Sequence, residues 1–237
     1  MNKIKSIISK WKFQTMIVSI FFTVGIIGHY WDYTYPLMVV LTPFVIFISG
    51  IWAIYKCLKK IYLVIWIILA YIVTFSLEVL GVSLGVIFGP YYYGDVLGPK
   101  LFNVPVIIGL NWVFIILSLV LLSEWLVNRL FKSRFKPWIK AFLTAVFTAT
   151  LATIFDFLME PAAVGLNYWF WTLTAEPLNV PIQNYIAWFI ISFSFALTLL
   201  SIPKNERIML QESPHSPWFV LIQAIFFIAI SIILLVS

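Results

Sequence analysis

The chain has 237 residues, of which 63% are hydrophobic and only 10% are charged. A soluble domain carries about 25% charged residues, so this chain has too little polar surface to coat a globule in water. The single cysteine, Cys57, excludes an internal disulfide framework. The only histidines, His29 and His215, are too few for the histidine-rich motifs of di-iron desaturases and hydroxylases. The composition therefore predicts a protein that lies in a membrane.

Seven apolar segments follow one another along the chain, each close to the roughly 20 residues that a helix needs to cross a bilayer. We predict an all-α integral membrane protein with a single transmembrane domain over residues 1–237. The predicted spans are residues 15–30, 37–55, 61–80, 105–124, 138–158, 182–202 and 218–236. The first segment lacks the small-residue cleavage site of a signal peptide, so we expect it to remain as a span.

The basic residues divide unequally between the two sides of the predicted spans. If the spans alternate in direction, fourteen lysines and arginines lie on one side and only Lys100 lies on the other. This positive-inside pattern predicts a multi-pass protein of the cell (plasma) membrane, with its N-terminus in the cytoplasm and its C-terminus outside. Topology and contacts with lipid headgroups explain the net charge of +6, which therefore does not indicate nucleic-acid binding.

The middle of the chain contains two similar units, at about residues 61–126 and 138–202. Each has a helix with an acid near its outer end, an aromatic tripeptide in a loop, an Asn-Val-Pro motif and a helix with a tryptophan. The matching features, at offsets of 78 or 76 positions, are Glu78 and Asp156, residues 91–93 and 169–171, residues 103–105 and 179–181, and Trp112 and Trp188. Both units enter from the same side, so the sequence predicts a parallel internal repeat. The prolines suit the first turn of a helix.

Three acidic residues fall inside or at the boundary of the predicted spans, where an ionisable side chain is costly and indicates a functional site. At about 1.5 Å per residue, Glu78 and Asp156 lie roughly 24–27 Å above the basic edge, where the tryptophans of the next helices could meet them. Asp156 and Glu160 face the same side of one helix, which suits an acid and base pair. Pro161 is expected to end that helix. The alternative is that these acids only cap loops or orient outer segments.

Aromatic residues cluster around these acids in both units, and we expect them to bind the substrate. They are Tyr91, Tyr92, Tyr93, Trp112, Trp169, Trp171 and Trp188. An aromatic π-face attracts a cation, so such a cluster could stabilise a carbocation away from water. Core packing or interface anchoring is the alternative for each of them. Of the other acids, Asp95 and Glu176 are expected to be solvated, and Glu124 to pair with nearby basic residues.

These motifs resemble the carotenoid biosynthesis protein family, which includes carotenoid 1,2-hydratases of the bisanhydrobacterioruberin hydratase type. The similarity covers about residues 70–190. It rests on Glu78…Gly85…Gly89-Pro90-Tyr91-Tyr92-Tyr93, on Asp156-x3-Glu160-Pro161 with Trp169-x-Trp171, and on Val180-Pro181-x2-Asn184-x3-Trp188. The chain departs from the family pattern at Glu160, where aspartate is usual, and at Asn179, where glycine is usual.

The resemblance implies an enzyme that adds water to the terminal C1–C2 double bond of an acyclic carotenoid end. A protonated carboxyl group would deliver a proton to C2, and a carboxylate would deprotonate the water that attacks C1. We expect Asp156 to be the proton donor, Glu160 or Glu78 to be the base, and Asn184 to help bind the substrate. The resemblance implies no metal and no organic cofactor. The expected partners are the carotenoid, membrane lipid and other enzymes of carotenoid biosynthesis.

Other functions stay open on the sequence. A carotenoid cyclase or isomerase would share the protonation step but would not add a water. A transporter or channel would share the repeat, the membrane acids and the prolines at helix starts, although no polar track crosses the basic half of the spans. A non-catalytic assembly factor for carotenoid enzymes is a further alternative. A retinal photoreceptor is set aside because the last span, residues 218–236, contains no lysine.

Overall fold

The computed structural model describes residues 2–131, 134–172, 180–211 and 216–236. Side chains are described for residues 12–131, 134–172, 180–207 and 216–236. Glu176, Asn179 and His215 lie outside the described residues.

Within these residues the chain forms eight α-helices and four short strands. The helices are α1 (Asn2–Tyr30), α2 (Tyr35–Ile54), α3 (Ile61–Leu84), α4 (Val106–Phe131), α5 (Pro137–Gly165), α6 (Ile182–Ser201), α7 (Lys204–Gln211) and α8 (Ser216–Val236). The strands are β1 (Tyr91–Tyr93), β2 (Lys100–Leu101), β3 (Val104–Pro105) and β4 (Trp169–Trp171). Seven of the described helices, all but α7, are long and apolar enough to cross a membrane. The predicted all-α fold with seven spans is therefore confirmed.

The central helix of the bundle is α4, which packs against α2, α3, α5, α6 and α8. Every residue from Trp112 to Leu121 is buried, and a helix that is apolar all round is expected at such a position. The outer helix α1 differs, since Met16, Ile20 and Val24 are each about half exposed. Exposed apolar side chains of this kind suit a surface that faces lipid.

One end of the bundle is held by charged side chains. Arg207 of α7 donates a hydrogen bond of 2.8 Å to Glu124 of α4, and another of 2.8 Å to the carbonyl of Ile202. Lys60, which directly precedes α3, lies 3.4 Å from the carboxylate of Glu206. The predicted role of Glu124 as a charge partner is confirmed. We call this the basic end, and we call the opposite end, where β1 and β4 lie, the aromatic end.

Glycine and proline set the helix boundaries at the aromatic end. Gly85, with a left-handed φ of +65°, follows the last residue of α3, as is common at helix C-termini. The helices α4 and α6 begin directly after Pro105 and Pro181. These prolines therefore precede the first turn and do not lie within it as predicted, a difference of one residue that is common at helix ends.

The helix α5 continues past Pro161 to Gly165, so the prediction that it ends at Glu160 was wrong. A proline inside a helix removes one hydrogen bond, because it has no N–H to donate to the carbonyl four residues earlier. Ala162 and Ala163, which follow the proline, are fully buried. Tertiary packing of this last turn thus outweighs the local preference of proline.

Gly50 allows α2 to approach α4 closely. A Cβ atom at this position would lie 2.0 Å from Cδ2 of Phe114, a fully buried ring. We expect Gly50→Ala to lower the free energy of unfolding by about 1–3 kcal/mol, the usual cost of overpacking. Combining Gly50→Ala with Phe114→Leu should cost less than the sum of the two single changes, because the smaller side chain makes room for the methyl group.

Thermal unfolding in detergent would measure this effect, with a thiol-reactive dye that reaches the buried Cys57 only after unfolding. Since the chain has one cysteine, the signal has a single source. Equal melting temperatures for the wild type and Gly50→Ala would contradict the close approach of α2 and α4.

Candidate active site

The aromatic end is organised by β1 and β4, which pair in antiparallel fashion. Tyr91 lies opposite Trp171, Tyr92 opposite Phe170, and Tyr93 opposite Trp169. Successive side chains of a strand point to opposite faces, so the first and third residues of each tripeptide share the inner face. The middle residues stack on the outer face, with ring centroids 5.1 Å apart. The two tripeptides that were expected in loops therefore form a small sheet over the helix ends.

Glu78 of α3 is only 5% exposed and accepts three hydrogen bonds. The hydroxyl groups of Tyr91 and Tyr93 donate to its Oε2 at 2.5 and 2.7 Å, and Nε1 of Trp112 donates to its Oε1 at 2.7 Å. The predicted meeting of Glu78 and Trp112 at one depth is confirmed. Burial, and next the charge of Glu78, raise the pKa of both tyrosines well above the usual phenol value. Both hydroxyl groups therefore keep their protons and act as donors.

Asp156 and Glu160 lie one turn apart on α5 and share the side-chain amide of Asn184 on α6. Nδ2 of Asn184 donates to Asp156 Oδ2 at 2.6 Å and lies 3.3 Å from Glu160 Oε1. Nε1 of Trp169 and Nε1 of Trp171 donate to Glu160 Oε2 at 3.1 and 2.9 Å. An indole N–H can only donate, so this oxygen of Glu160 acts as an acceptor.

Of the six carboxyl oxygens on these three acids, Asp156 Oδ1 is the one for which the described residues provide no hydrogen-bond partner. Asn111 Oδ1 on α4 is also buried without a partner, and both residues line the same cavity. The cavity has a volume of about 50 Å³, which is room for a few water molecules. Buried polar atoms are nearly always hydrogen-bonded, so these two oxygens indicate where a water or a polar group binds.

This cavity lies between α3, α4, α5 and α6, beneath β1 and β4, and residues from both predicted repeat units line it. Trp112 and Trp188, the matching tryptophans of the two units, stack with ring centroids 3.9 Å apart. Residues of the two predicted units therefore share one cavity. Ten of the eleven site residues predicted from the sequence line it: Glu78, Tyr91, Tyr93, Trp112, Asp156, Glu160, Trp169, Trp171, Asn184 and Trp188. Their roles remain predictions.

Tyr92 is the exception among the predicted site residues. It is 53% exposed and stacks on Phe170 at the outer face of the sheet. The period-two alternation of β1 explains this, because Tyr92 points away from its two neighbours. A prediction that placed all three tyrosines in a loop could not distinguish the two inner tyrosines from the outer one.

Four further residues line the cavity that the sequence analysis did not single out: Phe88, Ile108, Asn111 and Met159. Asn111 could have been found, because it is a polar residue inside an apolar span and directly precedes Trp112. The three apolar residues carry no comparable signal in the sequence.

Among the other acids at this end, Asp95 is exposed as predicted. It lies 2.7 Å from Nζ of Lys100, and this hydrogen bond holds the pKa of Asp95 below its usual value. Lys100 also donates to the carbonyl of Tyr93 at 2.8 Å. Lys100 is the one basic residue that the sequence assigns to this side. It is thus hydrogen-bonded to β1 and does not line the cavity.

The fold and the site define a multi-pass membrane protein with a buried cavity that carries three carboxyl groups and is walled by aromatic rings. The model of the carotenoid biosynthesis protein family matches residues 34–237. The chain belongs to this family, which confirms the resemblance drawn from its motifs.

The chain is similar to the bisanhydrobacterioruberin hydratase of Haloarcula japonica. The two proteins are 34% identical over 129 residues, which make up 53% of this chain and 40% of the relative. The match thus spans less than half of that relative's length. No solved structure matches the chain.

The hydrogen bonds to Glu78 can be tested with three matched substitutions on one strand. Tyr91→Phe and Tyr93→Phe each remove one donor to a buried carboxylate, which should cost about 1.5–3 kcal/mol of stability. Tyr92→Phe removes the same atom from an exposed side chain and should leave stability unchanged. The melting temperature in detergent measures all three. A loss for Tyr92→Phe equal to that for the inner tyrosines would contradict the alternation of β1.

Proposed function

We propose that this protein is a carotenoid hydratase that adds water to the terminal C1–C2 double bond of an acyclic carotenoid end group. The observation that carries the proposal is the unpartnered Oδ1 of Asp156, which is buried in a cavity walled by aromatic rings. Membership of the carotenoid biosynthesis family supports a carotenoid substrate. The relative named as a hydratase supports the addition of water. The reaction needs no metal and no organic cofactor.

In this proposal Asp156 is the proton donor. Its Oδ2 already accepts a hydrogen bond from Asn184, so the proton sits on the free Oδ1 and faces the cavity. Transfer of this proton to C2 uses the electron pair of the double bond and leaves a tertiary cation at C1. Water then attacks C1 and loses a proton, which completes the tertiary alcohol.

The base that receives this second proton is Glu160 in our proposal. Its Oε1 has only one long hydrogen bond, of 3.3 Å to Asn184. Glu78 suits the role less well, because three donors occupy its two oxygens. Asp156 and Glu160 together carry one proton before the reaction and one after it. A proton transfer between them through water restores the starting state.

Glu78 and the aromatic rings would stabilise the cation. A carboxylate that is fixed by three donors keeps its negative charge in place without rearrangement, and ring faces attract a cation at close range. An isoprenoid end group is larger than the cavity of about 50 Å³. Binding of the substrate therefore requires some of the lining side chains to move.

We also propose that the N-terminus lies in the cytoplasm and the C-terminus outside the cell, in the plasma membrane. The basic end carries Lys60 and Arg207, and the positive-inside pattern of the sequence assigns the other basic residues except Lys100 to the same side. The reaction would then take place in the outer half of the membrane, where a lipid-soluble substrate has access from the bilayer.

Replacement of Asp156 by Asn should abolish hydration. An amide has nearly the same shape as a carboxyl group but cannot deliver a proton, and loss of a general acid costs about 10²–10⁴-fold in rate. The assay is expression in a bacterium that accumulates lycopene, followed by chromatography and mass spectrometry of the pigments. The wild type should yield a more polar pigment that is heavier by one water and keeps its chromophore.

The matched control is Asp95→Asn, which changes an exposed acid of the same end and should retain activity. Both variants must be present in the membrane at the level of the wild type. Normal hydration by Asp156→Asn would rule out its role as donor. A wild-type pigment of unchanged mass but shorter conjugation would indicate cyclisation in place of hydration. Solute flux through liposomes that contain the protein would instead indicate a transporter.

Asn111 should position the water that attacks the cation. Asn111→Leu removes an acceptor from the cavity while leaving the acids in place, so protonation should continue but capture by water should fall about 10–100-fold, the effect of one or two lost hydrogen bonds. The ratio of hydrated pigment to isomers of unchanged mass measures this partition. Asn128→Leu, at the basic end of the same helix, is the control. An unchanged ratio in Asn111→Leu would remove this residue from the mechanism.

A further inference from the structure

A second and larger cavity lies between α1, α2 and α8, away from the carboxyl groups. Its volume is about 490 Å³ and nearly all of its lining is apolar. It follows α2 from Met38 to Ile48, a length of about 15 Å at the helical rise. Phe21, Phe44 and Ile48 line it and are also exposed on the outside of the bundle. The cavity therefore opens towards the surrounding lipid.

Two buried polar atoms in this lining have no partner among the described residues. Gln223 of α8 is 1% exposed, and its Oε1 has no hydrogen-bond partner among the described residues. Nε2 of His29 on α1 is also buried without a described partner. Both residues line the cavity. An apolar cavity that only held lipid chains would leave both polar atoms unsatisfied, at a cost in free energy.

Both of these atoms are hydrogen-bond acceptors. The amide oxygen of Gln223 can only accept. Nδ1 of His29 lies 2.7 Å from the carbonyl oxygen of Gly25, which also only accepts, so Nδ1 carries the hydrogen. In the neutral ring Nε2 is then left with a lone pair. The group missing from this cavity is therefore a donor.

Both acceptors lie near one ring, Phe226 of α8. The ring centroids of His29 and Phe226 are 5.9 Å apart, and Gln223 comes one turn before Phe226 on α8. Tyr168 and Trp169 separate this cavity from the cavity of the carboxyl groups. Tyr168 lines the apolar cavity, and its neighbour Trp169 lines the cavity of the carboxyl groups. The acceptors thus belong to a site of their own.

We propose that this cavity binds a lipid-soluble alcohol with a long apolar chain. Its hydroxyl group donates to Gln223 Oε1 or His29 Nε2, and its chain lies along α2 and reaches the bilayer. Ketones, ethers and acyl chains have no hydrogen to donate and would leave both acceptors unsatisfied. The proposal concerns binding alone and does not depend on the hydratase activity.

The test compares an alcohol with its methyl ether, which has no hydrogen to donate. The full chain is placed in lipid nanodiscs, and the binding of tritiated geranylgeraniol is measured in competition with unlabelled geranylgeraniol or with its methyl ether. The alcohol should bind about 10-fold more tightly than the ether, since one hydrogen bond to a buried acceptor accounts for a factor of this size. Equal affinities, or no binding of the alcohol because water satisfies the acceptors, would overturn the proposal.

Substitutions then locate the site. Gln223→Leu and His29→Phe should each reduce the preference for the alcohol, and the two together should abolish it. Val45→Phe, which fills the cavity, should prevent binding of both ligands. Gln14→Leu makes the same chemical change on α1 outside the cavity and should bind like the wild type. Retention of the full preference in the Gln223 and His29 double variant would overturn the proposed site.

Asp156→Asn separates this proposal from the hydratase. It should lose hydration and still bind geranylgeraniol with wild-type affinity, because Trp169 and Tyr168 lie between the two cavities. A loss of alcohol binding in Asp156→Asn would show that the alcohol occupies the carboxyl cavity, and would overturn the assignment to the second one.

Discussion

The structure depends on how three carboxyl groups are buried in a bundle that lipid surrounds. An ionisable group at this depth is costly unless it is paired or hydrogen-bonded. No lysine or arginine is among the described residues that line the cavity, so neutral donors take their place. Two phenol hydroxyls, three indole N–H groups and one amide supply them. In the proposed mechanism, charge stabilisation without a cation leaves the acids available for proton transfer.

The pairing of β1 with β4 brings most of these donors together, and its symmetry supports the proposal of an internal repeat. Tyr92 pairs with Phe170, its counterpart at an offset of 78 positions, and Trp112 stacks on its own counterpart, Trp188. Two units related by a two-fold axis along the membrane normal would place equivalent residues face to face in this way. Strands that lie across such an axis run antiparallel, even though the helices of both units run in the same direction.

The two predicted units differ chemically at the positions of the carboxyl groups. At the same offsets, Glu160 and Asn184 of the second unit correspond to Val82 and Ile108 of the first. Among the described residues the pair of interacting carboxyl groups therefore exists only once, and the first predicted unit contributes a single acid fixed by tyrosines. In the proposed hydratase this asymmetry gives one cavity a single proton donor, and it assigns the protonation to the second unit.

The sequence predicts most of the fold and the membership of the site, but only some of the contacts within it. Hydropathy and charge are sufficient to predict seven spans. The helical rise is sufficient to predict the contact between Glu78 and Trp112, because both residues lie in regular helices. The inward position of Tyr91 and Tyr93, with Tyr92 outside, depends on a strand pairing between segments about 80 residues apart. Pro161 within α5 depends on tertiary packing. Neither has a local signal in the sequence.

The small size of the carboxyl cavity bears on the fate of the proposed cation. A tertiary cation in water is captured at once, whereas a cation in a dry pocket loses a proton or attacks a neighbouring double bond. The carboxyl cavity is intermediate between bulk water and a dry pocket. Its volume is about 50 Å³, and it contains two unsatisfied oxygens, on Asp156 and Asn111. It has room for a few waters, and its polar atoms fix where they bind. In the proposed hydratase, a water held beside the acid before protonation would favour hydration over cyclisation, while the aromatic walls exclude the rest of the solvent.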